Sequence, residues 1–148
     1  MKDKLLTVYP AAHATDVALL IARIAVAALM LTHGLPKLAM LFSGEPVQFA
    51  GVYGLSPQLS LGLAIFAEVV CSLLVLVGLG TRLAVIPLII TMLVAAFYIH
   101  AADPFMKKEP ALQYLLVYVV LFFAGSGRYS VDNSWQRQSL KPALSMST

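Results

Sequence analysis

Five ionisable side chains sit where an apolar sequence would not be expected to carry them. Arg23, His33 and Lys37 share one hydrophobic stretch, Glu68 lies in a second and His100 closes a third. At the centre of a lipid bilayer a charge costs about 2.5–3.5 kcal/mol on insertion scales, so such groups turn inward and seek partners. Glu68 is the carboxylate inside another apolar run, which makes it the best partner for Arg23. A desolvated carboxylate beside a cation can hold a proton or anchor a ligand, its protonation set by burial against the nearby charge. Glu68 and His33 are therefore the candidate catalytic, proton-handling groups. Arg23, His33, Lys37, Glu68 and His100 are the candidate lining of a ligand or cofactor pocket. The competing reading makes Arg23 and Glu68 a structural ion pair that fixes helix register. Two histidines and a glutamate are chemically able to bind a metal, but no i, i+4 ligand spacing supports it, and no metal site is predicted.

The elements that must position these groups follow from composition. Of 148 residues, 60% are hydrophobic and 11% charged, against about 25% charged in an ordinary soluble domain. The polar residues are too few to cover the surface, so the lipid bilayer is the expected solvent. A net charge of +3 reads as basic ends beside a membrane, not as a nucleic-acid surface. Neither a nucleotide loop nor a nucleophile elbow appears. Cys71 is the one cysteine, which excludes an internal disulfide and a two-cysteine relay; it reads as a small packing residue. Tyr114 and Tyr118, one helical turn apart, read as packing and interface residues.

A hydrocarbon core of about 30 Å needs roughly 20 helical residues. Four apolar runs meet or approach that length, and they predict an all-α polytopic membrane protein, a bundle of four transmembrane helices over 17–38, 59–79, 83–102 and 111–127. An N-terminal arm (1–16) precedes them and a polar tail (128–148) follows. The arm is not expected to be a cleaved signal, because Pro10 and Asp16 interrupt its apolar run. Thr15 or Asp16 is expected to cap the first helix, and Pro36 to end or kink it. Asp16, Arg23, Met30 and Lys37 recur every seven residues beside Ala27 and Gly34, a stripe suited to the bundle interior. The connector 39–58 holds Phe49 and Tyr53, which suit the headgroup level. Gly78, Gly80, Thr81 and Arg82 predict a tight turn and an antiparallel hairpin. The fourth run is short for a span and predicts tilt or local thinning. With both termini on one side, Lys2, Lys4, Arg82, Arg128, Arg137 and Lys141 face Lys37, Lys107 and Lys108 on the other. That imbalance places both termini in the cytoplasm. Counted at about 1.5 Å per residue, the depths run from Arg23 through Glu68 to the two histidines.

The chain resembles the DoxX family of small four-helix membrane proteins. The resemblance rests on ARIAVAALMLTHGLPKL (22–38), Glu68 within the second helix, VGLGTRLA (77–84) and GSGRYSVD (125–132). It implies a cell inner membrane location. Some members are, or are similar to, the membrane subunit of thiosulfate:quinone oxidoreductase, and others associate with redox-defence proteins. By that resemblance quinone is the expected ligand, Arg23, Glu68, His33 and Lys37 are its candidate site, and a redox partner subunit supplies or takes the electrons. Two alternatives stand beside it: a non-catalytic scaffold that recruits a partner, and a small-solute or lipid carrier. The carrier has no repeats or broken helices in its favour and would need a homo-oligomer to make a path.

Overall fold

A chain this apolar has more hydrophobic side chains than its core can enclose, and the computed structural model turns the excess outward. The structure describes residues 12–145, and all regular structure among them is helical. Helix α1 is Ala12–Phe42. Helix α2 is Pro57–Val77, interrupted by a π-helical turn at Phe66–Cys71. Helix α3 is Thr81–Ile99 and ends in a second π-helical segment, Ala95–Ile99. Helix α4 is Phe105–Ala124 and α5 is Val131–Ser145. The first four pack in chain order around a common core, and α4 closes back on α1. Met30, Val75, Leu88, Ala96, Tyr118 and Leu121 fill the centre. Ile21, Leu29, Phe66, Leu83, Ile90, Leu116 and Phe123 point outward. Meanwhile Arg23, Glu68, Ser72 and Thr81 are buried. Polar inside and apolar outside is the arrangement that lipid as solvent selects.

Helices α1, α2 and α3 are long and apolar enough to cross a membrane. Helix α4 does not join them on that count, because Lys107, Lys108 and Glu109 occupy its first turns and leave only the run 111–124 apolar.

Several boundaries differ from the sequence reading, each for a physical reason. Helix α1 does not stop at Pro36 but runs on to Phe42. A proline removes one backbone bond, and packing on both flanks can hold the helix through it. Here Met30 is buried before the proline, and Leu38 and Met40 pack on the Leu61–Ile65–Val69 cluster after it. Thr15 and Asp16 do not cap α1, since the described chain is already helical at Ala12. Most of the expected N-terminal arm, 1–11, lies outside the described residues. Helix α2 starts at Pro57, behind a Ser56 cap whose hydroxyl accepts the Leu59 N–H at 3.3 Å. It ends at Val77 because Gly78 adopts the left-handed conformation, φ +72°. The polar tail is not featureless: it folds into α5, tied to the bundle by Asp132, whose N–H donates to the Gly78 carbonyl at 3.1 Å. Phe49 packs with Val47 against the Leu61–Ile65–Val69 cluster of α2.

Candidate functional site

Gly34 of α1 lies at a close approach of α1 to α2. A Cβ at that position would stand 3.0 Å from the Glu68 backbone carbon and 2.8 Å from Val69 Cγ2. One turn later on the same face, Lys37 donates to both carboxylate oxygens of Glu68 at 2.5 Å. Glu68 is 3% exposed and Lys37 27%. Glu68 sits in the π-helical turn of α2, an irregularity that recurs at functional sites. The second π-helical segment delivers His100 from α3 to the same neighbourhood.

These groups stand at the meeting of two spaces. A compact cavity of about 190 Å³ is lined by His33, Lys37, Glu68, His100, Lys107 and Tyr114, among others. A groove of about 510 Å³ shares Lys37, Glu68 and His100 but is otherwise mostly apolar, with Phe49, Leu55, Leu63, Ile90, Val94 and Ile99. The connector 43–56 folds over this groove. Phe49 carries the Lys37 ammonium 6.0 Å above its ring, and Tyr53 packs on Tyr98 at 4.5 Å with its N–H donating to the Tyr98 hydroxyl. The arrangement fits a ligand with a small hydrogen-bonding head and an apolar body. The head would meet the Lys37 ammonium and imidazoles, and Glu68 would lie beside it.

His33, Lys37, Glu68 and His100 are thus brought together, and Arg23 is not. The expected Arg23–Glu68 pair does not form. Arg23 lies at the opposite end of the bundle, 0% exposed, and donates from Nη2 to the Tyr129 carbonyl at 2.5 Å. Its Nε and Nη1 have no hydrogen-bond partner among the described residues. Lys37 takes the place assigned to Arg23 because α1 continues past Pro36 and keeps Lys37 on its inner face. Three contributors were missed. Tyr114 packs edge-on against His33 at 5.8 Å and stacks on Tyr118 at 6.3 Å. Asp103 Oδ2 lies 2.7 Å from His100 Nδ1 and accepts its hydrogen bond when that ring nitrogen carries the proton. Phe49 covers Lys37. Only Asp103, three residues after His100, carried a sequence signal, as an i, i+3 partner.

The close approach at Gly34 makes a simple test. Gly34→Ala forces the Glu68 turn away from α1 and is expected to cost about 1–3 kcal/mol, the usual range for overpacking. Thermal unfolding in detergent reads it; an unchanged midpoint would show that the approach is not needed.

A family model described as DoxX matches residues 18–101. An uncharacterized protein of Haemophilus influenzae is 32% identical over 120 residues, covering 76% of this chain and 87% of that protein. No solved structure matches. The matched residues include His33, Lys37, Glu68 and His100.

Proposed function

The chain belongs to the DoxX family, and on that premise we propose that it is a four-span membrane subunit of a quinone-linked oxidoreductase, with the quinone held at Lys37 and Glu68. The observation that carries this reading is the ion pair's position, shared by a compact cavity that His33, His100, Lys107 and Tyr114 also line and a mostly apolar groove. The donor set fits such a group. Lys37 and His100 offer N–H donors for a carbonyl oxygen, Glu68 offers a proton acceptor, and the groove offers an apolar bed for a hydrocarbon tail. A bound quinone supplies two-electron, two-proton redox chemistry. The chain's own residues bind and orient it, exclude water through the Phe49 connector, and hold protons at the Glu68 carboxylate and the His100 and His33 rings. His100 is oriented for this by Asp103.

Electrons come from a partner subunit, because the chain has no dithiol. The proposal places the protein in the inner membrane with both termini cytoplasmic, α4 forming the fourth span by tilt or local thinning. A purely structural scaffold has no use for two spaces meeting at one ion pair.

The test is a search for retained ligand. Protein extracted in mild detergent is expected to carry stoichiometric quinone by mass spectrometry, and Glu68→Gln to fold but lose it. Well-folded native protein without quinone, or Glu68→Gln with a full complement, overturns the reading.

A further inference from the structure

A larger cavity, of about 930 Å³, opens at the end of the bundle that carries Arg23 and shares no lining residue with the Lys37–Glu68 site. It lies between the start of α3, the glycine-rich turn after α4 and the first turns of α5. Helix α3 begins at Thr81 behind Gly80, with no side-chain cap and no acidic residue in its first turn. Its first N–H groups and the positive end of its dipole therefore face the cavity. A helix terminus alone makes no site, but a second feature stands beside it. Thr81 lines the cavity, is 1% exposed, and its hydroxyl has no hydrogen-bond partner among the described residues. A buried polar group left unmade is costly, and each such group asks for a partner.

Charge at the site favours an anion. Arg82 lies against Gly125 and uses one nitrogen on the Phe123 carbonyl at 3.1 Å. Arg128 projects an exposed guanidinium. The two carboxylates in the lining are already engaged. Asp132 Oδ1 accepts the Gly80 N–H at 2.8 Å, and Asp16 Oδ1 accepts the Arg128 N–H at 2.9 Å with Oδ2 3.9 Å from Arg128 Nε. Arg23, buried behind the loop, adds its charge next to Asp132. Two lining guanidiniums and a helix N-terminus, with Arg23 behind them, thus stand against two committed carboxylates.

We propose that this cavity binds a phosphate-bearing anion, with Thr81, Arg82, Arg128 and the N-terminus of α3 as its donors. Trp135, 65% exposed at the rim, has the amphipathic ring that settles at headgroup level. The same chemistry serves an acidic phospholipid headgroup and free phosphate, and the experiment separates them. The full chain in detergent is titrated with short-chain phosphatidylglycerol, with phosphatidylcholine of equal chain length, and with sodium phosphate against sodium chloride at matched ionic strength. Thermal midpoint is followed. Phosphatidylglycerol is expected to raise it saturably where phosphatidylcholine does not. A saturable response to phosphate as well assigns the site to the anion itself, and a response to the lipid alone assigns it to the headgroup; both support the proposal. Thr81→Val deletes a hydroxyl that holds nothing in the protein, and Arg128→Gln alters an exposed side chain, so both should fold. Each is expected to weaken phosphatidylglycerol binding about tenfold, the worth of one charge-assisted hydrogen bond. No saturable response to either phosphate source, or native affinity in both variants, overturns it.

Discussion

Lys37→Met is expected to cost about 3–5 kcal/mol of stability, because it strands the Glu68 carboxylate without its cation. Glu68 is 3% exposed and both of its oxygens are taken by Lys37. Glu68→Leu should cost less, since Lys37 is partly exposed and its long stem can carry the ammonium toward the polar end of the site. The informative variant is the double one. Replacing a buried ion pair by apolar residues of similar volume is often neutral or stabilising, so Lys37→Met with Glu68→Leu should regain most of the loss. Under the quinone proposal all three variants lose the ligand, whether or not stability returns. Thermal unfolding in detergent and quinone content are therefore measured on the same preparations. A restored fold with restored ligand would make the pair purely structural. A Lys37→Met protein as stable as the native one would mean the pair does not join α1 to α2.

The sequence made α1, α2 and α3 legible because each is a long apolar run, and such runs have one stable form in lipid. It also put His33, Lys37, Glu68 and His100 in one candidate pocket, where the structure brings them together, but counted Arg23 with them. What it misjudged was which cation meets Glu68. Lys37 looked like a residue at a helix end, since Pro36 was expected to end or kink the helix; packing around Leu38 and Met40 carried the helix on. Arg23 looked as if it needed a carboxylate, yet its bonded partner is the Tyr129 carbonyl, 106 residues away. Any residue type supplies a carbonyl, so no pattern marks that acceptor. The π-helical turns at Glu68 and before His100 have no sequence signature either. Tyr114 and Tyr118 satisfied a packing rule, and only the approach of α4 to α1 reveals that Tyr114 also faces His33. Helix α5 escaped notice because it is polar overall, with few apolar residues, Val131 and Trp135 among them, in place of a long apolar run.

Gly78→Ala is expected to be the most damaging small change at the Arg23 end, and its effect should depend on Arg23. Gly78 holds φ +72° to end α2, and a methyl there would overlap Arg23 Nη1 and crowd Ser130 Cβ. Left-handed strain contributes about 1–2 kcal/mol and the overlap a further 1–3 kcal/mol or so. Arg23→Ala should cost about 3–5 kcal/mol by itself, through the cavity left by a fully buried side chain and the orphaned Tyr129 carbonyl. With Arg23 removed, however, the methyl at position 78 no longer overlaps the guanidinium, and only its crowding of Ser130 Cβ remains. The double variant should then lose only the strain and the Ser130 crowding beyond what Arg23→Ala already loses, a coupling of about 1–3 kcal/mol in a double-mutant cycle. Thermal unfolding of the four proteins measures it. Additive losses would mean the guanidinium swings aside at little cost, and the close fit of Arg23 against the α2 terminus would not be what holds the turn after α4 in place.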